Sequence, residues 1–392
     1  MAELSKNWID ETTLRVMTYK SGSFTFQLGA DIEKLAPMLD RINDAQLRFI
    51  KIPTLPVIID ELQEKVLASS IYSTNTIEGG EYSETETAQI LQQDPKTLKE
   101  SKEKRLINLK EALLWVNQHS HDNLEPYQAE SISENIAITL HSLVSKELTE
   151  QHNPIGKYRD NQAGQKTLVG DNAHGGTYRP PKCLADIEYL MTAWTEWLNS
   201  VGMRKQPAII RACLAHYYFE LIHPFFDGNG RTGRLIEMLI LEQAGYHFAS
   251  SAVWRFYQQN IDEYFGLFNQ CRKLADKKQL FANHNFVAFV LKGMFETINY
   301  LHDQTNGLLS LLLFQSRLNT AKASREINDR QFGLVYILMG IEPITPSEAY
   351  RLPAIKAIYQ KKTDRTFYRD IKKLTMELKL LREHDGLLRP NF

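Results

Sequence analysis

A mainly α fold is what this sequence predicts, and three observations predict it. Apolar residues recur at helical spacing through most of the 392 residues. One stretch, 153–181, is instead broken by Gly156, Gly164, Gly170, Gly175 and Gly176 into short pieces that read as a small β-hairpin. From about 326 a separate small domain follows, helical at first and closing on Asp385-Gly386, a hairpin turn signal. The length accommodates two or three domains, expected at 1–100, 101–325 and 326–392.

Composition narrows the class without naming it. Hydrophobic residues at 43% and charged residues at 24% are ordinary for a soluble globular chain. A net charge of −1 supplies no global pull toward nucleic acid or membrane, so such binding would need a local patch. Cys183, Cys213 and Cys271 are odd in number and far apart, which fits reduced thiols that fill a core. The first residues lack an apolar signal region, and nowhere does an uninterrupted run of ~18 apolar residues occur. The expected compartment is the cytoplasm, with no membrane partner.

Taken in order, residues 1–30 alternate weakly and read as a strand or extended arm around Phe24-Thr-Phe26. Helical patterns follow at 32–49 and 56–77, the second with Pro56 at its start and Gly79-Gly80 at its stop. Residues 81–96 are mostly polar, and Asp94-Pro95 marks a turn. Helices resume at 98–118 and 127–148, and His141 on the latter reads as a packed core histidine. The hairpin region pairs Leu168-Val169 with Thr177-Tyr178. A helix at 184–199 carries Trp194 and Trp197 as core residues. Another runs from Pro207 to Leu221, with apolar residues at 209, 210, 214, 217, 218 and 221. Trp254 to Phe265 reads as one further helix, and 284–325 continues in helices.

Between the 207–221 helix and the apolar run from Leu235 lies His223-Pro-Phe-Phe-Asp227-Gly-Asn229-Gly-Arg231-Thr-Gly-Arg234. The motif is a helix–loop–helix with Gly228 to Gly230 at the N-terminus of the second helix. Free N–H groups and the positive dipole end there make an anion site that glycines leave open. Arg231 and Arg234, three apart, fall on neighbouring positions and are suited to phosphate oxygens. Asp227 offers a hard oxygen ligand for Mg2+. His223 has the side chain suited to take a proton near neutral pH. Together these read as phosphate-ester chemistry on a nucleotide.

Rival readings fail on particular positions. A calcium loop would want Asp or Asn at Arg231 and Glu at Met238, and the Walker loop needs Gly-Lys-Ser/Thr. His216, Glu220 and His223 share one helix face but lack the zinc order HExxH.

At every fixed position the motif matches His-Pro-Phe-x-Asp-Gly-Asn-Gly-Arg-x-x-Arg, and the chain thereby resembles the Fic family of AMP transferases. The resemblance extends over most of the chain. It implies a Fic-type helical bundle core with a small β-hairpin flap, bounded here by Gly156-Lys-Tyr-Arg159 and Tyr178-Arg-Pro-Pro181. Leu168 and Val169 would then dock the target's hydroxyl-bearing segment by main-chain pairing. ATP is the implied substrate, with nucleotide contacts from Gly228, Asn229, Gly230, Arg231, Thr232, Gly233 and Arg234. Tyr264 or Phe265 would stack near the adenine; core packing is the competing reading for both.

Glu78 sits at the negative end of the 56–77 helix, where a carboxylate is unfavourable by roughly 0.3–1 kcal/mol. Either solvent or a distant cation must compensate it. Thr74-Asn-Thr-Ile-Glu78-Gly79 is similar to the family's inhibitory helix, and the resemblance implies a Glu78–Arg234 pair that obstructs the γ-phosphate site. It also leaves open removal of AMP, with Glu78 orienting water.

From Asp329 the C-terminal segment resembles a winged helix-turn-helix, with Arg365, Arg369 and Lys372 facing a groove. A partner-binding or dimerising module with a solvated basic face is the equal alternative. The expectation is thus a protein adenylyltransferase acting on a Ser, Thr or Tyr hydroxyl, with His223 as base and Asp227 as metal ligand. Its partners would be a target protein, DNA through 326–392 and a second copy as a homodimer. The alternatives are a nucleotide-sensing DNA-binding regulator, or transfer of another phosphate-containing group. A dead sensor core would be expected to lose His223 or Asp227, and both are present.

Overall fold

The computed structural model describes residues 4–53, 55–120, 131–148, 153–161 and 166–392. The chain divides into two compact units, Met1–His302 and Asp303–Phe392.

The first unit begins with an antiparallel sheet, β1 (Ser5–Asp10), β2 (Thr13–Met17) and β3 (Ser23–Gln27), in that spatial order. Where an extended arm or single strand was expected, the alternation suffices for three strands, because Leu14, Val16 and Phe26 have a core to enter. Phe26 stacks on Trp197 at 5.7 Å. Next come α1 (Ile32–Ile50) and α2 (Pro56–Ile77), with Asp31 capping α1 and Pro56 in the first turn of α2.

A helix then appears where only polar sequence was expected: α3 (Glu84–Leu91). Its signal is the capping box of Ser83 and Glu86, reinforced by burial of Thr87, Ile90 and Leu91. After α4 (Ser101–Ser120), α5 occupies Glu134–Val144. The start of the helix expected at 127, and Gly164 of the hairpin, lie outside the described residues.

The centre of this unit is a helix pair. α6 (Leu184–Leu198) and the short α7 (Val201–Arg204) lead into α8 (Ala208–Ile222), whose residues are buried on nearly every side. α9 (Asn229–Gln243) returns beside it, packed also on α4, α5 and α10 (Ala249–Gln259). Gly245, at φ 84°, follows the end of α9 in the left-handed region.

The single helix expected across 254–265 is two. Asn260 breaks it at φ −119°, ψ 40°, and its side-chain Nδ2 donates to Phe256 O at 2.9 Å, satisfying a carbonyl at the end of α10. α11 (Ile261–Asp276) starts from the same residue, and α12 (His284–Ala323) follows, its first part within this unit.

In the second unit, α13 (Asp329–Met339) carries its own capping box, Asn328 with Gln331. Two short helices follow, α14 (Pro346–Arg351) and α15 (Pro353–Tyr359), each opened by a proline. α16 (Asp364–Lys372) runs into a π turn, then β4 (Leu381–His384) and β5 (Leu387–Pro390) form the hairpin over Asp385-Gly386. Ile344 bridges Leu388, adding a third extended position. Buried Asp370 accepts from Arg330 at 2.7 Å, Gln331 at 2.9 Å and Tyr359 at 3.0 Å, which fixes α16 within this unit. No described helix is long and apolar enough to cross a membrane.

Candidate active site

The α8–α9 turn is built from unusual backbone. His223 terminates α8 in the left-handed region (φ 49°, ψ 61°), and Gly228 opens α9 at φ 81°. A left-handed non-glycine residue costs about 1–2 kcal/mol, so its surroundings must hold it. Asn229 braces the loop by spending its whole amide on Phe225: Oδ1 accepts from Phe225 N, and Nδ2 donates to Phe225 O, both at 2.9 Å. Its contribution to any anion site is therefore the peptide N–H.

His141 holds the loop from the other side. Its ring stacks on Phe225 at 3.6 Å; Nδ1 accepts from Gly156 N–H at 3.1 Å, so the proton sits on Nε2, which donates to Asp227 O at 3.1 Å. Burial lowers its pKa to about 4 and keeps it neutral. His141 is a packed brace, in keeping with its sequence reading.

Above the start of α9 lies a cavity of about 330 Å³. His223, Asp227, Gly228, Asn229, Gly230 and Arg234 all reach it, joined by Phe265 and Tyr264 of α11, Val169 of the hairpin and Glu78. Thr232 and Gly233 do not line it. Thr232 is buried, and a Cβ on Gly233 would come within 2.8 Å of the His216 ring, so these residues serve helix packing. Arg231 also stands outside the lining. Its guanidinium is buried and donates to Asp227 Oδ2 at 2.7 Å, which holds the Asp227 carboxyl below the usual range against the upward push of burial.

Glu78 caps α2, and Gly79 follows at φ 77°. The Glu78 carboxylate accepts from Arg234 Nη2 at 2.5 Å, while Thr74 Oγ1 accepts from Arg234 Nε at 2.8 Å. A Cβ on Gly230 would overlap the Glu78 carboxylate, which therefore lies on the first turn of α9. An acid placed there meets the positive end of a helix and its unpaired N–H groups.

The far side of Arg234 is held by a directional chain. Nη1 donates to Tyr264 Oη at 3.2 Å, leaving that hydroxyl to donate to His216 Nε2 at 3.1 Å; His216 Nδ1 then donates to Glu237 at 2.9 Å. Burial by itself would push Arg234 down, but Tyr264 and Glu78 carry it above the ordinary arginine value. Tyr264 stacks on Tyr257 at 5.1 Å inside the core. Of the two aromatics, half-buried Phe265 is the one whose ring remains available to the cavity.

Sequence reasoning passed over Glu220. Its carboxylate lines the cavity with Oε2 3.7 Å from His223 Nδ1. Burial pushes Glu220 up, yet the neighbouring imidazole holds it below its ordinary value. The shared face of 216, 220 and 223 was the available signal; the structure separates it into a Glu220–His223 pair and a His216–Glu237 pair. Among the described residues no group of three or more His, Cys, Asp or Glu is arranged to hold a metal ion.

The hairpin pairs Val169 with Tyr178 through hydrogen bonds of 3.0 and 2.9 Å, where the glycine pattern placed them. Leu168 is exposed beside it.

Residues 131–241 match the Fic/DOC family. A protein adenylyltransferase Fic from Nematostella vectensis is 30% identical over 283 residues, 68% of this chain, and this chain spans 56% of that relative's length. The fold of a Fic domain containing signaling protein from Bacteroides thetaiotaomicron superposes with a TM-score of 0.55 at 19% identity, covering 68% of this chain and 97% of that one. A Fic family protein from Desulfovibrio desulfuricans gives 0.50 at 18% identity over 91% and 95% of the two chains. The helix–loop–helix that carries His223 thus lies within a Fic domain at residues 131–241.

Proposed function

We propose that this protein transfers AMP from ATP to a hydroxyl of a protein target and is held in check by Glu78. One observation carries the reading: a histidine and an arginine face the same cavity over a helix N-terminus, with a carboxylate of the chain itself seated where a phosphate would bind. The adenylyltransferase names of the relatives support the same chemistry.

In the reaction, His223 takes the proton of a Ser, Thr or Tyr hydroxyl as its oxygen forms a bond to the α-phosphorus. The bond from that phosphorus to the oxygen bridging to the β-phosphate breaks, and pyrophosphate leaves. The N–H groups at Gly228 to Gly230 and Arg234 balance phosphate charge, so positioning and electrostatics supply most of the acceleration. Asp227 suits Mg2+, because its carboxyl is kept ionised and half-exposed at the cavity, a hard oxygen of the kind Mg2+ takes beside phosphates. Bound there, the ion would neutralise phosphate charge. Phe265 offers a face to the base.

Intact-mass measurement of the Glu78→Gly form after incubation with ATP and Mg2+ tests this directly. A gain equal to one AMP, lost about 10²–10⁴-fold in rate on adding His223→Ala, is the expected result. A gain of a different mass would instead establish transfer of another group, and no gain in any lysate target would end the reading.

For the second unit we propose DNA as a partner. What supports it is the exposed face of α16, where Arg365, Arg369 and Lys372 follow Lys361 and Lys362, with Arg382 exposed on β4. Arg369→Ala with Lys372→Ala should weaken DNA retention and flatten its salt dependence; unaltered retention would favour a protein partner.

A further inference from the structure

The last carbonyls of a helix have no partners within it and must be satisfied from outside. At the end of α8 these partners come from the hairpin. Tyr178 Oη donates to Glu220 O at 3.1 Å and also reaches Leu221 O. Arg159 Nε donates to His223 O at 2.7 Å, and the Arg159 peptide N–H donates to Pro224 O at 2.8 Å. The same guanidinium crosses to the other border of the hairpin, donating from Nη2 to Pro181 O at 2.7 Å and from Nη1 to Thr167 Oγ1 at 3.4 Å.

Arg159 is fully buried, and all of these partners are neutral oxygens. Burial draws its pKa down to about 10, which leaves it charged at neutral pH. A charge without a carboxylate is stable here because it lies at the negative end of α8. Tyr178 stands directly across the bridge from Val169, and both line the cavity.

We infer that the hairpin is the C-terminal cap of α8, and that Arg159 and Tyr178 are positioning residues through which a target segment docked on the hairpin sets His223. This rests on the transfer reading above. Arg159 stands outside the cavity; Tyr178 lines it, with its hydroxyl given to the carbonyls of Glu220 and Leu221. Each fixes a carbonyl of the turn that keeps His223 left-handed, so docking geometry and base geometry move as one body. Sub-ångström precision of this kind matters, since a displacement of about 1 Å lowers a rate by about 10²-fold.

The test uses Tyr178→Phe and Arg159→Lys, each in the full chain carrying Glu78→Gly. Expected is a fall in kcat of about tenfold to a hundredfold, with ATP affinity unchanged and with the larger loss for Arg159→Lys, which keeps the charge but loses the fork. Equal kcat in both variants would overturn the inference, as would a loss confined to ATP affinity. A second measurement does not depend on transfer: the NMR signal of the His223 ring, identified by its absence in His223→Ala. It should move in both variants, and a signal left in place overturns the inference even where no transfer occurs. Absence of transfer in the Glu78→Gly parent would count against the proposed function alone.

Discussion

Two segments far apart in sequence close on the same turn, the end of α2 and the hairpin, and they attach in opposite ways. The end of α2 brings an acid, Glu78, to the positive start of α9. The hairpin brings a cation, Arg159, and a hydroxyl, Tyr178, to the negative end of α8. Both obey the charge preference of helix ends. The difference lies in what else could take each place. A phosphate offers Arg234 and the α9 N–H groups everything that Glu78 does, so the first attachment is exchangeable. Carbonyls at the end of α8 have no such substitute, so the second is a fixture.

The comparison would break first at Arg159. Arg159→Ala strips short charged hydrogen bonds from buried carbonyls and should cost about 3 kcal/mol or more of stability, read from urea unfolding midpoints. A loss under about 0.5 kcal/mol would mean the hairpin is not a structural cap. Glu78→Gly should behave in the opposite sense, raising self-labelling by ATP about 5- to 150-fold, the range of a coupling between two sites. Unchanged labelling would deny that Glu78 competes with nucleotide. Thr74→Ala removes one hydrogen bond to Arg234 while leaving the ion pair, so a smaller rise of about fivefold is expected in the same assay.

The smallest effect concerns the hairpin tip. His174 donates from Nδ1 to Asp171 and from Nε2 to Asp262, both near 3 Å, an arrangement that requires the imidazolium. Asp262 and Asp171 raise its pKa. A raised value stabilises the folded state fully below the ordinary histidine range, and the contribution is lost as pH climbs through the raised one. Amide exchange at 174–178 should accordingly quicken on that climb and lose its pH step in His174→Gln. The step will be modest, because Asn269 and Lys273 also hold this tip through the carbonyls of His174, Gly175 and Gly176.

Much of this was written locally. The bounds of α2 follow from Pro56 and Gly79, and the α8–loop–α9 order from apolar spacing and Gly228, because caps and left-handed positions depend on the residue itself. The box Ser83-x-x-Glu86 that opens α3 is equally local, although the polar run around it hides the helix. The break at Asn260 was not legible, since periodicity continues through it and only a side-chain bond to Phe256 O marks the end.

By itself the sequence determined the chemistry at hand: an imidazole, a carboxylate, glycines and arginines around a helix start, with a hairpin and a small basic C-terminal unit. Tertiary structure alone decided which of these face the cavity. It turned Arg231 to Asp227 and left Arg234 to the pocket, spent the Asn229 amide on the loop, and gave Tyr264 to the core while Phe265 stayed at the wall. It also joined Arg159 to His223 and set Glu220 beside the imidazole. Local sequence fixes backbone through φ, ψ and caps; the direction of a long side chain is fixed by whichever neighbours packing brings, and those lie scores of residues away.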